Sequence, residues 1–146
     1  MASVRQKARI VVLQALYEAD MAHHSAQEAM ERLLHESRLP AHGQMMAREL
    51  VRGVMEHQKE IDQVLRKTAP QWPLHQVAAV DRNILRLAIY EILFNNREHS
   101  TPRGIVINEA VDLAKSFGSE KSSGFVNGVL GHLASEQTGT VEHLLT

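Results

Sequence analysis

The chain has 146 residues, with 16 Lys and Arg against 17 Asp and Glu, and it contains no cysteine. This length fits one compact domain, and the lack of cysteine excludes disulfide scaffolds, thiolate metal sites and cysteine nucleophiles. Because the formal net charge is only -1, any contact with nucleic acid must come from a local basic patch. No stretch approaches the roughly 20 apolar residues that cross a bilayer, so we expect no membrane partner and a cytoplasmic location.

Apolar residues recur at helical spacing through the first half of the chain. They predict a first helix over Val4 to Met21, apolar on two sides and therefore packed against two partners. Ser25 followed by Glu28 has the spacing of a capping box and predicts the start of a second helix, which ends before Pro40. After a break from Pro40 to Gly43, the periodicity predicts a long third helix that reaches Thr68.

Two prolines mark the expected boundary between two subdomains. Pro70 and Pro73 end the third helix, because proline lacks the amide donor and clashes with the preceding turn. We therefore predict one domain over residues 1–134, with an N-terminal subdomain over about 1–70 and a C-terminal one over about 74–134. Residues 135–146 form a polar tail with no strong pattern.

The second half also has helical periodicity. Residues 80–94 are apolar almost all round, which is typical of a helix in the middle of a bundle. Another amphipathic helix follows Thr101 and Pro102, and Gly118 stands where a left-handed C-terminal cap is expected. A last helix is predicted from about Ser119 to Ala134. Because no strand-like alternation is present in the sequence, the fold class is all-α.

Catalytic and cofactor motifs are missing from the sequence. The nine histidines include no pair with the spacing and glutamate of a helical zinc site, and no glycine-rich phosphate loop is present. Glu109 and Asp112 fit a solvated helix face better than a catalytic carboxylate pair. The sequence therefore predicts no metal, no cofactor and no enzymatic activity.

Local positive charge is the remaining functional signal. Arg5, Lys7 and Arg9 precede the first acidic residue, Glu18. Three cations neutralise only a few phosphates, and on this feature alone an ordinary solvated helix end is the better interpretation. Lys115, Lys121 and Phe125 form a second candidate surface near the start of the last helix, although a lone phenylalanine more often belongs to the core.

Three blocks of sequence resemble the NusB family of bacterial transcription antitermination factors. They are Ala8 to Tyr17 (ARIVVLQALY), Val80 to Glu91 (VDRNILRLAIYE) and Ile107 to Leu130 (INEAVDLAKSFGSEKSSGFVNGVL). The third block is the most specific, and the resemblance spans about residues 4–134. It implies a NusB-like helical bundle of about seven helices in two subdomains.

The resemblance also implies a function. NusB family proteins bind boxA RNA together with NusE, a small-subunit ribosomal protein, in an antitermination complex with RNA polymerase during ribosomal RNA transcription. Ala69 stands where some relatives carry an aromatic residue, which implies that this chain makes one base-stacking contact fewer than those relatives. By position, the resemblance assigns RNA binding to Arg5, Lys7, Arg9, Tyr17, Lys121 and Phe125, and partner binding to Asp81, Arg82 and Arg86.

Two alternatives remain open at this point. One is an RNA-binding domain like the NusB-like domain fused to ribosomal RNA cytosine methyltransferases, although this chain lacks the catalytic domain. The other is a helical protein–protein interaction module without specific RNA binding. Such a module would form a homodimer through the second apolar stripe of the first helix, which consists of Ile10, Leu13 and Tyr17.

Overall fold

The computed structural model describes residues 2–95 and 101–136, and this part of the chain is built from helices. The predicted all-α class is confirmed, and the helix count is close to the expected seven. A 3₁₀ helix at Leu74–Gln76 and a π-helical turn at Tyr90–Phe94 supplement the α-helices. The α-helices are α1 (Val4–Ala22), α2 (Ala26–Glu36), α3 (Ala41–Thr68), α4 (Ala79–Ile89), α5 (Arg103–Phe117) and α6 (Ser122–Glu136). Of the predicted tail, residues 137–146 lie outside the described residues.

Side-chain caps explain where the first two helices begin. The Ser3 hydroxyl accepts a hydrogen bond from the Gln6 amide at 3.0 Å and caps α1. The Ser25 hydroxyl accepts one from the Glu28 amide at 3.3 Å, which confirms the predicted start of α2. Such caps satisfy amide groups that have no partner within the helix.

The predicted break from Pro40 to Gly43 is shorter than expected, because α3 already begins at Ala41. The Pro40 carbonyl accepts hydrogen bonds from the amides of Gly43 and Gln44 at 2.9 and 3.0 Å. A Cβ atom at Gly43 would lie 2.8 Å from a methyl carbon of Val4. The glycine therefore lies within α3, where it serves the close approach of this helix to the start of α1, and it is not part of a break.

The chain divides into two compact units, Met1–Glu56 and His57–Thr146. The division falls inside α3, ahead of the two prolines, and both prolines belong to the second unit. The subdomain limits near residues 70 and 74 stay a prediction.

In the first unit, α1 packs against α2, and two exposed ion pairs join neighbouring helices. Arg32 bonds both carboxylate oxygens of Glu18 at 2.7 Å, and Arg48 bonds Glu31 at 2.6 and 3.1 Å. Hydrogen bonding from the Arg48 guanidinium lowers the pKa of Glu31 below its ordinary value of 4.5. The same bond raises the pKa of Arg48. Exposed pairs of this kind add little stability.

In the second unit, α4 packs against both α5 and α6, as its nearly continuous apolar sequence predicts. Ile84 and Leu85 are fully buried, and so are Leu130 and Leu133 of α6. The π-helical turn continues α4 and packs against α5. The second unit therefore has its core around α4.

The predicted left-handed cap at Gly118 is wrong. Gly118 has φ -93° and ψ -169°, which is extended backbone, and its amide bonds the Ala114 carbonyl at 2.9 Å. A Cβ atom at Gly118 would lie 2.5 Å from the Ser122 Cβ and 2.9 Å from the Ala114 oxygen. Glycine is required here because α6 starts so close to the end of α5.

Candidate nucleic-acid interface

The start of α1 presents two of the three predicted cations to solvent. Arg5 and Lys7 are exposed, whereas Arg9 is only 3% exposed and is part of the packed interior. Residues two positions apart on an α-helix differ by about 200° in direction, so Arg5 and Lys7 lie on different sides of α1. No acidic residue occupies the first turn, where the helix dipole itself favours anions. The helix start can therefore attract phosphate through Arg5 and Lys7.

The apolar surface of α1 differs from the predicted stripe. Tyr17 is 39% exposed and Met21, one turn later, is 56% exposed, while Ile10 is half-buried. Leu13 is only 3% exposed, so it belongs to the core and is not available for a homodimer contact. The exposed part is centred on Tyr17 and Met21.

Lys121 and Phe125 lie one turn apart at the start of α6. The Phe125 amide donates a hydrogen bond to the Lys121 carbonyl at 3.1 Å, and the Lys121 side chain is exposed. The Phe125 ring meets the Trp72 ring edge to face, with 5.8 Å between centroids and 81° between planes. Phe125 is half-buried, so its ring serves both packing and the surface.

Trp72 is a candidate residue that the sequence analysis missed. It follows Pro70 in the turn after α3 and is 54% exposed, which is unusual for the largest apolar side chain. It is the one tryptophan of the chain, and its position between two prolines is the signal that could have found it. Ala69, where the resemblance implied a missing aromatic contact, lines the same cavity as Trp72.

This cavity, which we call the Trp72–Phe125 groove, has a volume of about 460 Å³. Its walls come from the end of α3, the following turn and one face of α6. The side chains are mostly apolar or small, with two basic residues among them. The lining residues are Lys67, Thr68, Ala69, Pro70, Gln71, Trp72, Gly124, Phe125, Gly128, Val129 and His132.

Arg86, predicted to bind a partner, supports the interior of the second unit. Its Nε bonds Asp62 Oδ1 at 2.8 Å, and its Nη2 bonds Asp62 Oδ2 at 3.1 Å. A further bond joins Nη1 to Asn83 Oδ1 at 3.2 Å. Arg86 is only 7% exposed. Its predicted contact with a partner stays a prediction, but the contacts of its side chain are those of a buried ion pair.

The other two predicted partner residues lie at the start of α4. Arg82 Nη1 donates hydrogen bonds to the carbonyls of Val77 and Leu74, at 2.9 and 3.2 Å, and so holds the segment that leads into the helix. Asp81 is 7% exposed, and its Oδ1 accepts no hydrogen bond from the described part of the chain. An unsatisfied carboxylate oxygen is costly in a protein interior, so Asp81 has the capacity to accept a donor.

Within residues 2–95 and 101–136, no group of three or more His, Cys, Asp or Glu side chains is placed to hold a metal ion. None of the helices in these ranges is both long and apolar enough to span a membrane.

Comparisons with known proteins identify the family. The NusB family model matches residues 6–135. Transcription antitermination protein NusB of Roseiflexus sp. (strain RS-1) is 47% identical over 135 residues, which cover 92% of this chain and 94% of the relative. The structure of T. maritima NusB matches with a TM-score of 0.85 at 33% identity, over 95% of this chain and 96% of that one. A crystal structure of antitermination factors NusB and NusE in complex with dsRNA matches with a TM-score of 0.82 at 28% identity, over 94% of this chain and 100% of the matched chain. The resemblance of the three sequence blocks is thus confirmed, and the chain belongs to the NusB family.

Proposed function

We propose that this chain is a transcription antitermination factor that binds boxA RNA together with NusE during ribosomal RNA transcription. It would act within the antitermination complex on RNA polymerase, in the cytoplasm. The observation that carries this proposal is the likeness, over nearly the whole chain, to a NusB crystallised with NusE and dsRNA. This role is recognition and requires no catalytic group.

The exposed cations provide the electrostatic part of RNA binding. Arg5 and Lys7 at the positive end of α1, and Lys121 before α6, are exposed and would contact phosphates. Arg9 is buried and contributes to the packing that holds α1 in place. Tyr17 and Phe125 offer aromatic rings for base contacts, which carry more sequence information than phosphate contacts do.

Among the three residues assigned to partner binding, Asp81 fits the role best. Its Oδ1 is buried and unsatisfied within the described residues, so accepting an N–H group from NusE requires that this side chain become accessible when the partner binds. Arg82 and Arg86 already donate to groups of this chain. We infer that Arg82 fixes the start of α4 and so positions Asp81, whereas Arg86 serves the stability of the second unit through Asp62.

Titration by fluorescence anisotropy tests the proposal. A labelled boxA RNA and a scrambled RNA are titrated with the protein, alone and with NusE, at two salt concentrations. We expect NusE to tighten binding to boxA more than binding to the scrambled RNA. Equal, weak binding to both RNAs with no effect of NusE would refute the proposal and favour a protein-only module, whose oligomeric state light scattering would give.

Charge reversal locates the phosphate contacts. Arg5→Glu combined with Lys7→Glu removes two contacts and should lower the slope of log K against log salt by about 1.4 units. The matched control is Arg52→Glu with Lys59→Glu, which changes the net charge equally at two exposed positions of α3. If both double variants weaken binding equally, the contacts at α1 are not specific and only net charge matters.

A further inference from the structure

We propose that the Trp72–Phe125 groove holds one unpaired RNA base, stacked on the Trp72 indole. This inference rests on the proposed RNA-binding function and deepens it, because it names the part of the RNA that the second unit recognises. It assigns a binding role to Trp72, to Gly124 and Gly128 of α6, and to Lys67.

The ring geometry leaves an aromatic surface open. In the edge-to-face contact with Phe125, the two planes are nearly perpendicular, so the rings do not cover each other's faces. More than half of the Trp72 surface is exposed. The Trp72 amide bonds the Ala69 carbonyl at 3.1 Å, and Pro70 and Pro73 restrict the turn on both sides. The backbone of the turn is thus fixed, and the contact with the Phe125 ring orients the indole before any ligand arrives, which lowers the entropic cost of stacking.

Two glycines of α6 line the groove without side chains. Gly124 and Gly128 lie one turn apart on α6, and a Cβ atom built at either position meets nothing within 4 Å. A flat ligand can therefore approach the α6 backbone closely. The volume of about 460 Å³ lies within the range of roughly 300–1,000 Å³ that is usual for small-ligand sites.

The charges around the groove favour a nucleotide over an apolar peptide side chain. Lys67 and His132 line it, and the lining residues from the described ranges include no acid. His132 is paired with Glu136 at 3.1 Å, which leaves Lys67 as the main cation of the wall. Lys121, one turn before Phe125, adds a second exposed cation. A base stacked on the Trp72 indole with its phosphates near the lysines uses both the ring and the charges, whereas an apolar side chain uses only the ring.

The base must be unpaired. In an A-form duplex the bases are stacked on each other, and only the shallow groove edge is accessible to side chains. An aromatic platform requires a base that is turned out of the stack. The groove therefore recognises a single-stranded segment of the RNA.

Fluorescence gives a direct test because Trp72 is the one tryptophan in the chain. A single-stranded RNA containing the boxA sequence is titrated into the full-length protein while tryptophan emission and RNA anisotropy are both recorded. We expect Trp72 emission to be quenched in parallel with the rise in anisotropy. An RNA of the same length in duplex form should quench it less.

A pair of glycine variants separates filling of the groove from changes to α6. Gly128→Leu places a side chain in the groove, whereas Gly131→Leu places one on the same helix outside it, and neither Cβ meets a neighbour within 4 Å. Both changes should raise helix propensity equally. We expect Gly128→Leu to weaken RNA binding roughly 5- to 150-fold, the equivalent of one lost stacking contact. Gly131→Leu should leave RNA binding unchanged.

Trp72→Ala is a second variant, for use if Gly128→Leu does not fold. Its RNA affinity is measured by anisotropy, and we expect it to be weakened by a similar factor. Anisotropy that rises without quenching, with equal affinities for the two glycine variants, would overturn the groove proposal but leave the proposed function intact. Quenching by NusE in the absence of RNA, and not by RNA, would assign the groove to a protein and also overturn the proposal. If no RNA binds with or without NusE, the proposed function fails first and the groove proposal fails with it.

Discussion

Replacement of Arg86 by methionine distinguishes a folding role from a partner-binding role at α4. The change removes both hydrogen bonds to Asp62 and leaves its carboxylate buried without a counter-charge. The two side chains are only 9% and 12% exposed, so water cannot replace the lost contacts easily. Breaking a buried ion pair in this way costs about 3–5 kcal/mol. That is a large part of the roughly 5–15 kcal/mol by which a typical domain is stable.

Urea unfolding followed by far-ultraviolet circular dichroism measures this cost. With a slope of about 2 kcal/mol per molar urea, we expect the midpoint to fall by about 2 M. The double variant Arg86→Met with Asp62→Leu should recover most of the loss, because two apolar side chains do not need a counter-charge. NusE binding by the single variant should be retained under conditions in which the protein is still folded.

The opposite pattern would refute this reasoning. If Arg86→Met has the same midpoint as the parent protein but no longer binds NusE, Arg86 is a partner contact, as the sequence resemblance implies. If the double variant is as unstable as the single one, the cost does not come from an unpaired Asp62 carboxylate.

Three further predictions concern local structure. Gly118→Ala should lower the free energy of unfolding by about 1–3 kcal/mol, because the added methyl group overpacks the site. The second change Ser122→Gly should recover part of this loss of stability. Ser25→Ala should cost about 1 kcal/mol through loss of the α2 cap. Arg48 lowers the pKa of Glu31 in the folded state, so the ion pair stabilises the fold fully at pH values above the ordinary Glu31 pKa of 4.5. This stabilisation is lost as the pH falls through the lower pKa that Glu31 has in the folded state. Arg48→Met should therefore lower the melting temperature slightly at neutral pH and not at strongly acidic pH.

Each of these predictions has a matched control, read by thermal and urea unfolding. Gly104→Ala introduces the same methyl group into α5 where a Cβ meets nothing within 4 Å, so an equal loss at both glycines would contradict the overpacking argument. Ser25→Gly should cost only a few tenths of a kcal/mol, because glycine is tolerated at a cap. Arg52→Met removes an exposed arginine of the same helix, and a pH-dependent effect as large as that of Arg48→Met would contradict the role of Glu31.

The helices were predictable because their signals are local. Helical periodicity and the Ser25 cap depend on residues within one or two turns, and the observed bounds of α1 and α2 follow them closely. The two errors involve glycines. In the sequence Gly43 looks like part of a break between helices and Gly118 like a left-handed cap, but they serve close approaches to Val4 and Ser122. The neighbour that makes glycine necessary is identified only once the helices are packed.

The candidate interface was less predictable for the same reason. Arg9 is buried although its charge suggests a surface position, because α1 is packed on more than one side. Conversely, Trp72 is exposed although its apolar ring suggests the core. It belongs to no periodic segment, so hydrophobic patterning gave no information about it. Cations and aromatic rings mark an interface only when their exposure is known.

The number of exposed cations limits how RNA can be held. Phosphate contacts from Arg5, Lys7, Lys121 and the groove residue Lys67 would give a salt slope of only about 3 for a single strand, which is a modest ionic contribution. A base stacked on Trp72 would add affinity that depends little on salt, because stacking releases no counterions. The rest must come from NusE, since two surfaces joined on one RNA raise each other's effective concentration. A protein of this charge is therefore expected to bind RNA weakly alone and tightly as one half of a pair.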